Sequence, residues 1–174
     1  MTGYLHAADG SVIETVSNCS EATDGADTGP GLNDILRAFR SVPLPASVLQ
    51  IQPPNGETLV NFETNFLTHA DPFDTTLTLL GHRVDFRIKA SSFHWHYGDG
   101  KEERTAKPGD VYPHLQVTHE YRRKGQVAPS VDTTWSADYR IDNGPWATVP
   151  DTVTITGATQ ALTIRTATPV LVGS

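Results

Sequence analysis

The sequence predicts an all-β fold, an antiparallel sandwich preceded by a short helix and a polar arm. Three observations predict it. Apolar and polar residues alternate through most of the chain after Leu44, the period of strands with one buried face. The 14 Gly and 12 Pro supply turns at short intervals, and the abundant Thr and Val suit strands better than helices. Helical periodicity is confined to one segment. The 174 residues suffice for one domain with a proper core and a tail.

Residues 1–30 are polar, Gly-rich and acidic, and Ser20–Pro30 reads as a linker, with a weak strand at Ser11–Val16. In residues 31–41, Leu32, Ile35, Leu36 and Phe39 fall at i, i+3, i+4 and i+7, one apolar stripe on a helix. Pro30 suits its start and Pro43 stops it. About three turns are unstable alone. The stripe must therefore dock, either on the domain that follows or on a partner. The predicted organisation is an arm with its helix over 1–43 and a sandwich over 44–174.

Strands are expected at Ser47–Ile51, Thr58–Phe66, Leu77–Leu80, Arg83–Lys89 and Ser92–Tyr97. Val84, Phe86 and Ile88 share one face, and Phe93, Trp95 and Tyr97 share another. A loop is expected over Gly98–Asp110, then strands at Gln116–Tyr121 and Ser130–Ile141. Asp142-Asn143-Gly144 marks a type I′ hairpin. Strands at Trp146–Val149, Thr152–Thr156 and Leu162–Ala167 complete the set. Eight or more short strands argue for a sandwich.

The net charge of -7 argues against nucleic acid, which is bound largely by cations that displace counterions. Arg122-Arg123-Lys124 reads as a solvated turn. A single cysteine, Cys19, excludes an intrachain disulfide. No segment reaches the roughly 20 apolar residues of a membrane span, and the start at Met1-Thr2-Gly3 lacks the basic and apolar regions of a signal peptide.

Trp95-His96-Tyr97-Gly98-Asp99-Gly100 resembles the hallmark of the PKD (polycystic kidney disease) family, Trp-x-Phe-Gly-Asp-Gly. His119-Glu120-Tyr121 followed by Gly125 resembles its second signature. The resemblance covers about residues 46–168. It is closest to PKD-domain proteins of actinobacteria, where a run like Gln52–Asn61 precedes the hallmark and a loop like Pro108–Pro113 follows it. The resemblance implies an immunoglobulin-like sandwich, with Trp95, Tyr97, Gly98, Asp99, Gly100, His119, Tyr121 and Gly125 in structural roles. It also implies a non-catalytic interaction module, extracellular or on the cell surface. A virion decoration protein and a carbohydrate-binding accessory module are the alternatives.

The residues themselves offer four chemistries. His94 and His96 lie at i, i+2, and with His119 they form a three-imidazole zinc set. An inward Trp95 turns that pair away from the core, and no cofactor is expected. Asp71, Asp74, Asp85, Asp99 and Asp110 are oxygen donors without a calcium-loop spacing. Ser91 and Ser92 near His94 lack a nucleophile elbow. Trp135, Tyr139 and Trp146 surround the Asn143-Gly144 turn and, if exposed, would stack on sugars or proteins. With Leu32, Ile35, Leu36 and Phe39 they form the expected binding surface. The expected partner is another protein or further copies of the chain, with polysaccharide as a second class.

Overall fold

A computed structural model describes residues 29–167. The expected strand at 11–16 and Cys19 lie outside the described residues. The chain forms helix α1 (Leu32–Ser41) and then β1 (Gln50–Gln52), β2 (Glu57–Leu59), β3 (Glu63–Leu67), β4 (Phe73–Leu79) and β5 (His82–His96). There follow β6 (Glu102–Thr105), β7 (Thr118–Glu120), β8 (Gly125–Val127), β9 (Ser130–Ile141), β10 (Ala147–Thr148), β11 (Val153–Ile155) and β12 (Leu162–Arg165).

These strands make one large sheet and two small ones, an all-β sandwich. The large sheet runs β10-β9-β5-β4, with β11 also on β9 and β6 also on β5. The small sheets run β1-β3-β7 and β2-β12-β8. All pairs are antiparallel except β2 with β12.

The long strand β5 corrects the sequence expectation. Arg83–Lys89 and Ser92–Tyr97 were expected as two strands with different apolar faces, yet they form one continuous strand. Against β9, the register shifts between Ala90 and Ser92, so Ser91 is an extra residue. Such a bulge reverses the parity of the side chains beyond it. The even residues Val84, Phe86 and Ile88 therefore face the same way as the odd residues Phe93, Trp95 and Tyr97. β9 runs opposite without a break and buries Val131, Thr133, Trp135 and Ala137 on that same face.

Two cores lie along this face. In the first, Phe93, Trp95, Tyr97 and Val131 pack against Leu49, Ile51, Phe66, Val117, Tyr121, Leu162 and Ile164 of the small sheets and their loops. In the second, Val84, Phe86, Ile88, Trp135 and Ala137 pack against Ile35, Ala38 and Phe39 of α1. The helix thus packs one face on the second core, while Asn33, Arg37 and Arg40 stay exposed. Gly31 caps it, with its N–H donated to Asp34 Oδ2 at 3.0 Å.

Other departures have local causes. The alternation through Thr58–Phe66 is broken where Asn61 adopts a φ of 57°, which separates β2 from β3. The loop expected at Gly98–Asp110 contains β6, whose charged residues hide its pairing with β5. In the hairpin after β9, Asp142 and Asn143 take the positive φ values and Gly144 N–H closes the turn on Ile141 O. The turn falls within the expected Asp142-Asn143-Gly144.

Candidate functional site

The two sequence signatures meet at the end of β5. Trp95 is fully buried and donates its indole N–H to Thr105 Oγ1 at 2.9 Å. Tyr97 stacks on His119, with ring centroids 4.1 Å apart and planes 7° from parallel. Its hydroxyl donates to Glu103 Oε2 at 2.7 Å. Burial, reinforced by the bond to Glu103, pushes the Tyr97 phenol up. Tyr121 packs edge-on to His119 and donates its hydroxyl to Tyr97 O at 2.8 Å, and burial raises its phenol as well.

Asp99 ties the turn to this stack. Its Oδ2 accepts from His119 Nε2 at 2.8 Å and its Oδ1 from Lys101 N–H at 3.1 Å. Burial works against the charged carboxylate, but these donors outweigh it and hold Asp99 below its ordinary value. Gly98 is required by the fold: its φ is +79°, and a Cβ there would lie 2.8 Å from Ala128 N. Gly100 has a φ of +88°, and Gly125 opens β8. These bonds tie the turn after β5 to itself and to β6 and β7, which is the work of a structural lock.

The expected metal set is split. His119 belongs to the lock, on β7. His94 and His96 project from the opposite, polar face of the large sheet, where they meet Glu102 of β6. Among the described residues this trio converges, each donor atom within 4.8 Å of the others. His94 Nε2 donates to Glu102 Oε2 at 3.0 Å, and His96 Nε2 to Asp132 Oδ2 at 3.0 Å.

The other oxygen donors are dispersed. Asp85 is bonded to Thr76, Arg83 and Arg140, and Asp110 accepts from the N–H of Val111. Ser91 donates its hydroxyl to Thr134 O at 3.1 Å, so it does not pair with His94 as nucleophile and base.

The expected aromatic surface is corrected. Trp135 is 1% exposed and packs edge-on to Phe73 in the second core. Its odd position on β9 turns it inward with Val131 and Ala137. Tyr139 is half-buried beside Phe86. Trp146 is half-buried and covered by Arg87, whose guanidinium carbon lies 4.0 Å from the ring centroid, with Arg140 at 4.8 Å. Ile35 and Phe39 are wholly buried and Leu36 half-buried, which leaves only Leu32 exposed on the stripe.

A different surface carries exposed apolar side chains. A groove of about 450 Å³ is lined by Pro53, Pro54, Phe62, Tyr112 and Leu115, with Gln52, Glu63 and Asn65 as its polar members. Tyr112 is 75% exposed, Phe62 47% and Leu115 36%. The walls are anchored. Gln52 Oε1 accepts from Asn65 Nδ2 at 2.9 Å and from Tyr112 N–H at 3.0 Å. Asn65 also donates to Asp110 O at 2.8 Å. Gly109 lets the loop lie flat on β3, since a Cβ there would come within 2.3 Å of Phe66 O. In the sequence this surface is scattered over Pro53-Pro54, Phe62 and Tyr112–Leu115, and only the density of Pro beside aromatics hints at it.

The chain matches no protein-family model and no curated protein.

Proposed function

We propose that this chain is a non-catalytic, PKD-type interaction module that docks an extended apolar segment of a protein partner in the groove beside Tyr112. The observation that carries this reading is the groove itself. Apolar side chains clustered on the surface mark a docking site when the backbone beneath them is fixed. Here Gln52 and Asn65 fix both walls before any partner arrives, so little order is lost on binding. A segment carrying prolines or aromatics would stack on Tyr112 and Phe62.

The PKD assignment is supported by the way both signatures close into one lock of Tyr97, Asp99, His119 and Tyr121. The non-catalytic reading rests on the PKD resemblance, beside which Ser91, one of the two serines near His94, donates its hydroxyl to Thr134 O. Placement outside the cell or on its surface, as part of a larger assembly, follows from the PKD resemblance.

The test is site-specific cross-linking. A photoreactive residue in place of Leu115, in the protein within its native source, should yield a discrete protein adduct. Tyr112→Ala and Phe62→Ala should each abolish that adduct while leaving the melting temperature within a few degrees. Loss of nothing in either variant, or saturable binding of glycans that Tyr112→Ala removes, would overturn the protein-docking reading, the second outcome in favour of a carbohydrate module.

A further inference from the structure

The His94, His96 and Glu102 cluster sits outside the lock and the groove, and neither uses it. We propose that these three side chains bind a divalent transition metal of the zinc type, with Asp132 as the residue that positions His96.

His96 uses Nε2 to bond Asp132 Oδ2 at 3.0 Å. Asp132 is itself steadied by Gly157 N–H, which donates to its other oxygen at 3.3 Å. A carboxylate only accepts, so the neutral His96 imidazole carries its N–H on Nε2 and leaves the Nδ1 lone pair free. That lone pair faces Glu102 Oε2 at 3.6 Å. Two electron-rich atoms directed at one another repel unless a cation lies between them. The same Glu102 oxygen accepts from His94 Nε2 at 3.0 Å. A metal takes the place of that proton, His94 then carrying its N–H on Nδ1. The two imidazole centroids are 4.1 Å apart.

The spacing suits a metal. Donors about 2.0–2.1 Å from a tetrahedral zinc lie roughly 3.3–3.4 Å from one another. The distances of 3.0 and 3.6 Å fall on either side of that figure. Two imidazoles and a carboxylate form a donor set that zinc takes readily, with a fourth position left open. The arrangement of carboxylate, histidine and metal along Asp132 and His96 is the usual way a ligating imidazole is held in its tautomer and orientation.

The strands dictate the placement. His94 and His96 are two residues apart on β5, so they share a face. Glu102 lies directly across from His96 on β6, and Asp132 directly across from His94 on β9. Glu102 is mostly exposed, which gives an ion a path in. Arg104 stands across from His94 on β6 and is exposed, a cation that the strand register brings beside the site. The rival occupant is a second proton on His96, which would turn the 3.6 Å approach into a plain ion pair.

Untagged full-length protein with Cys19→Ser, which removes the thiol as a competing ligand, should bind one equivalent of Zn²⁺ by calorimetry. Co²⁺ should give the visible absorption of a tetrahedral centre. Glu102→Gln, an exposed change that spares the fold, should weaken Zn²⁺ at least about tenfold, and Asp132→Asn roughly 10–100-fold. His94→Gln with His96→Gln should abolish binding, while His69→Gln, an exposed histidine elsewhere, should leave it unchanged. Failure to bind one equivalent at millimolar metal would overturn the proposal in favour of the proton. Binding that survives Glu102→Gln and the double histidine change would overturn it too, since the metal would then sit elsewhere.

Discussion

Replacing Phe39 by alanine tests whether α1 belongs to the domain. Phe39 is wholly buried and stacks on Phe86 of β5, with centroids 6.4 Å apart. Truncating a buried phenylalanine typically costs about 3–5 kcal/mol, from lost transfer free energy and the cavity left behind. A domain has about 5–15 kcal/mol in all, so the change removes a large share. For a unit of this size, 1 kcal/mol shifts the melting temperature by roughly 3 °C. The expected fall is therefore about 10–15 °C, accompanied by a lower urea midpoint at unchanged slope. Leu32→Ala, on the same stripe but half exposed, should cost under about 1 kcal/mol. Circular dichroism and tryptophan fluorescence follow both, and Trp135 reports from the same core. If Phe39→Ala costs less than about 1 kcal/mol, or melts the helix in a separate transition, the helix is a detachable arm and the second core has been misread.

Two further outcomes follow from the large sheet. Asp85 is held at about 2 by Thr76 foremost, then by Arg83 and Arg140, with burial opposing them. Its folded value lies below its ordinary 3.8, so the stability it adds is complete above that pH and is lost as pH falls through about 2. Melting temperatures from pH 5 to 2 should drop less steeply in Asp85→Asn than in the parent, and parallel curves would count against the network. Deleting Ser91 removes the bulge but leaves the pairing with β9 regular, Ala90 across from Trp135, Ser92 from Thr134 and Phe93 from Thr133. Phe93, Trp95 and Tyr97 therefore stay inward, and the protein should still melt cooperatively. Deleting Ser91 and Ser92 together shifts the strand by one residue and turns those three toward solvent. That protein should lose cooperative unfolding and bind a hydrophobic dye, and a normal melt of it would refute the parity argument.

The strand content was legible because period-2 alternation follows directly from one buried face. The bulge was not, since Ser91 looks like any small polar residue, and its effect is seen only in the unbroken alternation of β9 opposite. For the same reason Val84, Phe86 and Ile88 were assigned a face different from Trp95. β6 escaped notice because Glu102, Glu103 and Arg104 carry no apolar signal and the strand is fixed by pairing alone. The motifs implied structural roles for Tyr97 and His119, but their stacking comes from the topology that brings β7 against the end of β5. The stripe of Phe39 was readable as needing cover, but what covers it was left open between the following domain and a partner. The side of β9 that Trp135 takes depends on which element arrives to cover it. The groove joins residues from three separate segments, and the clustering of Pro beside aromatics is the only local trace of it in the sequence.

The parallel pairing of β2 with β12 has a consequence for how the chain is made. Glu57 and Arg165 sit 108 positions apart and are bonded across the two strands. At about 5–20 residues per second of synthesis, β2 waits roughly 5–20 s for the strand that completes its sheet. During that interval Thr58, destined for the interior, lies on an unpaired edge on the nascent chain. A pause or a truncation before residue 162 would leave that edge open to whatever strand or chaperone reaches it first.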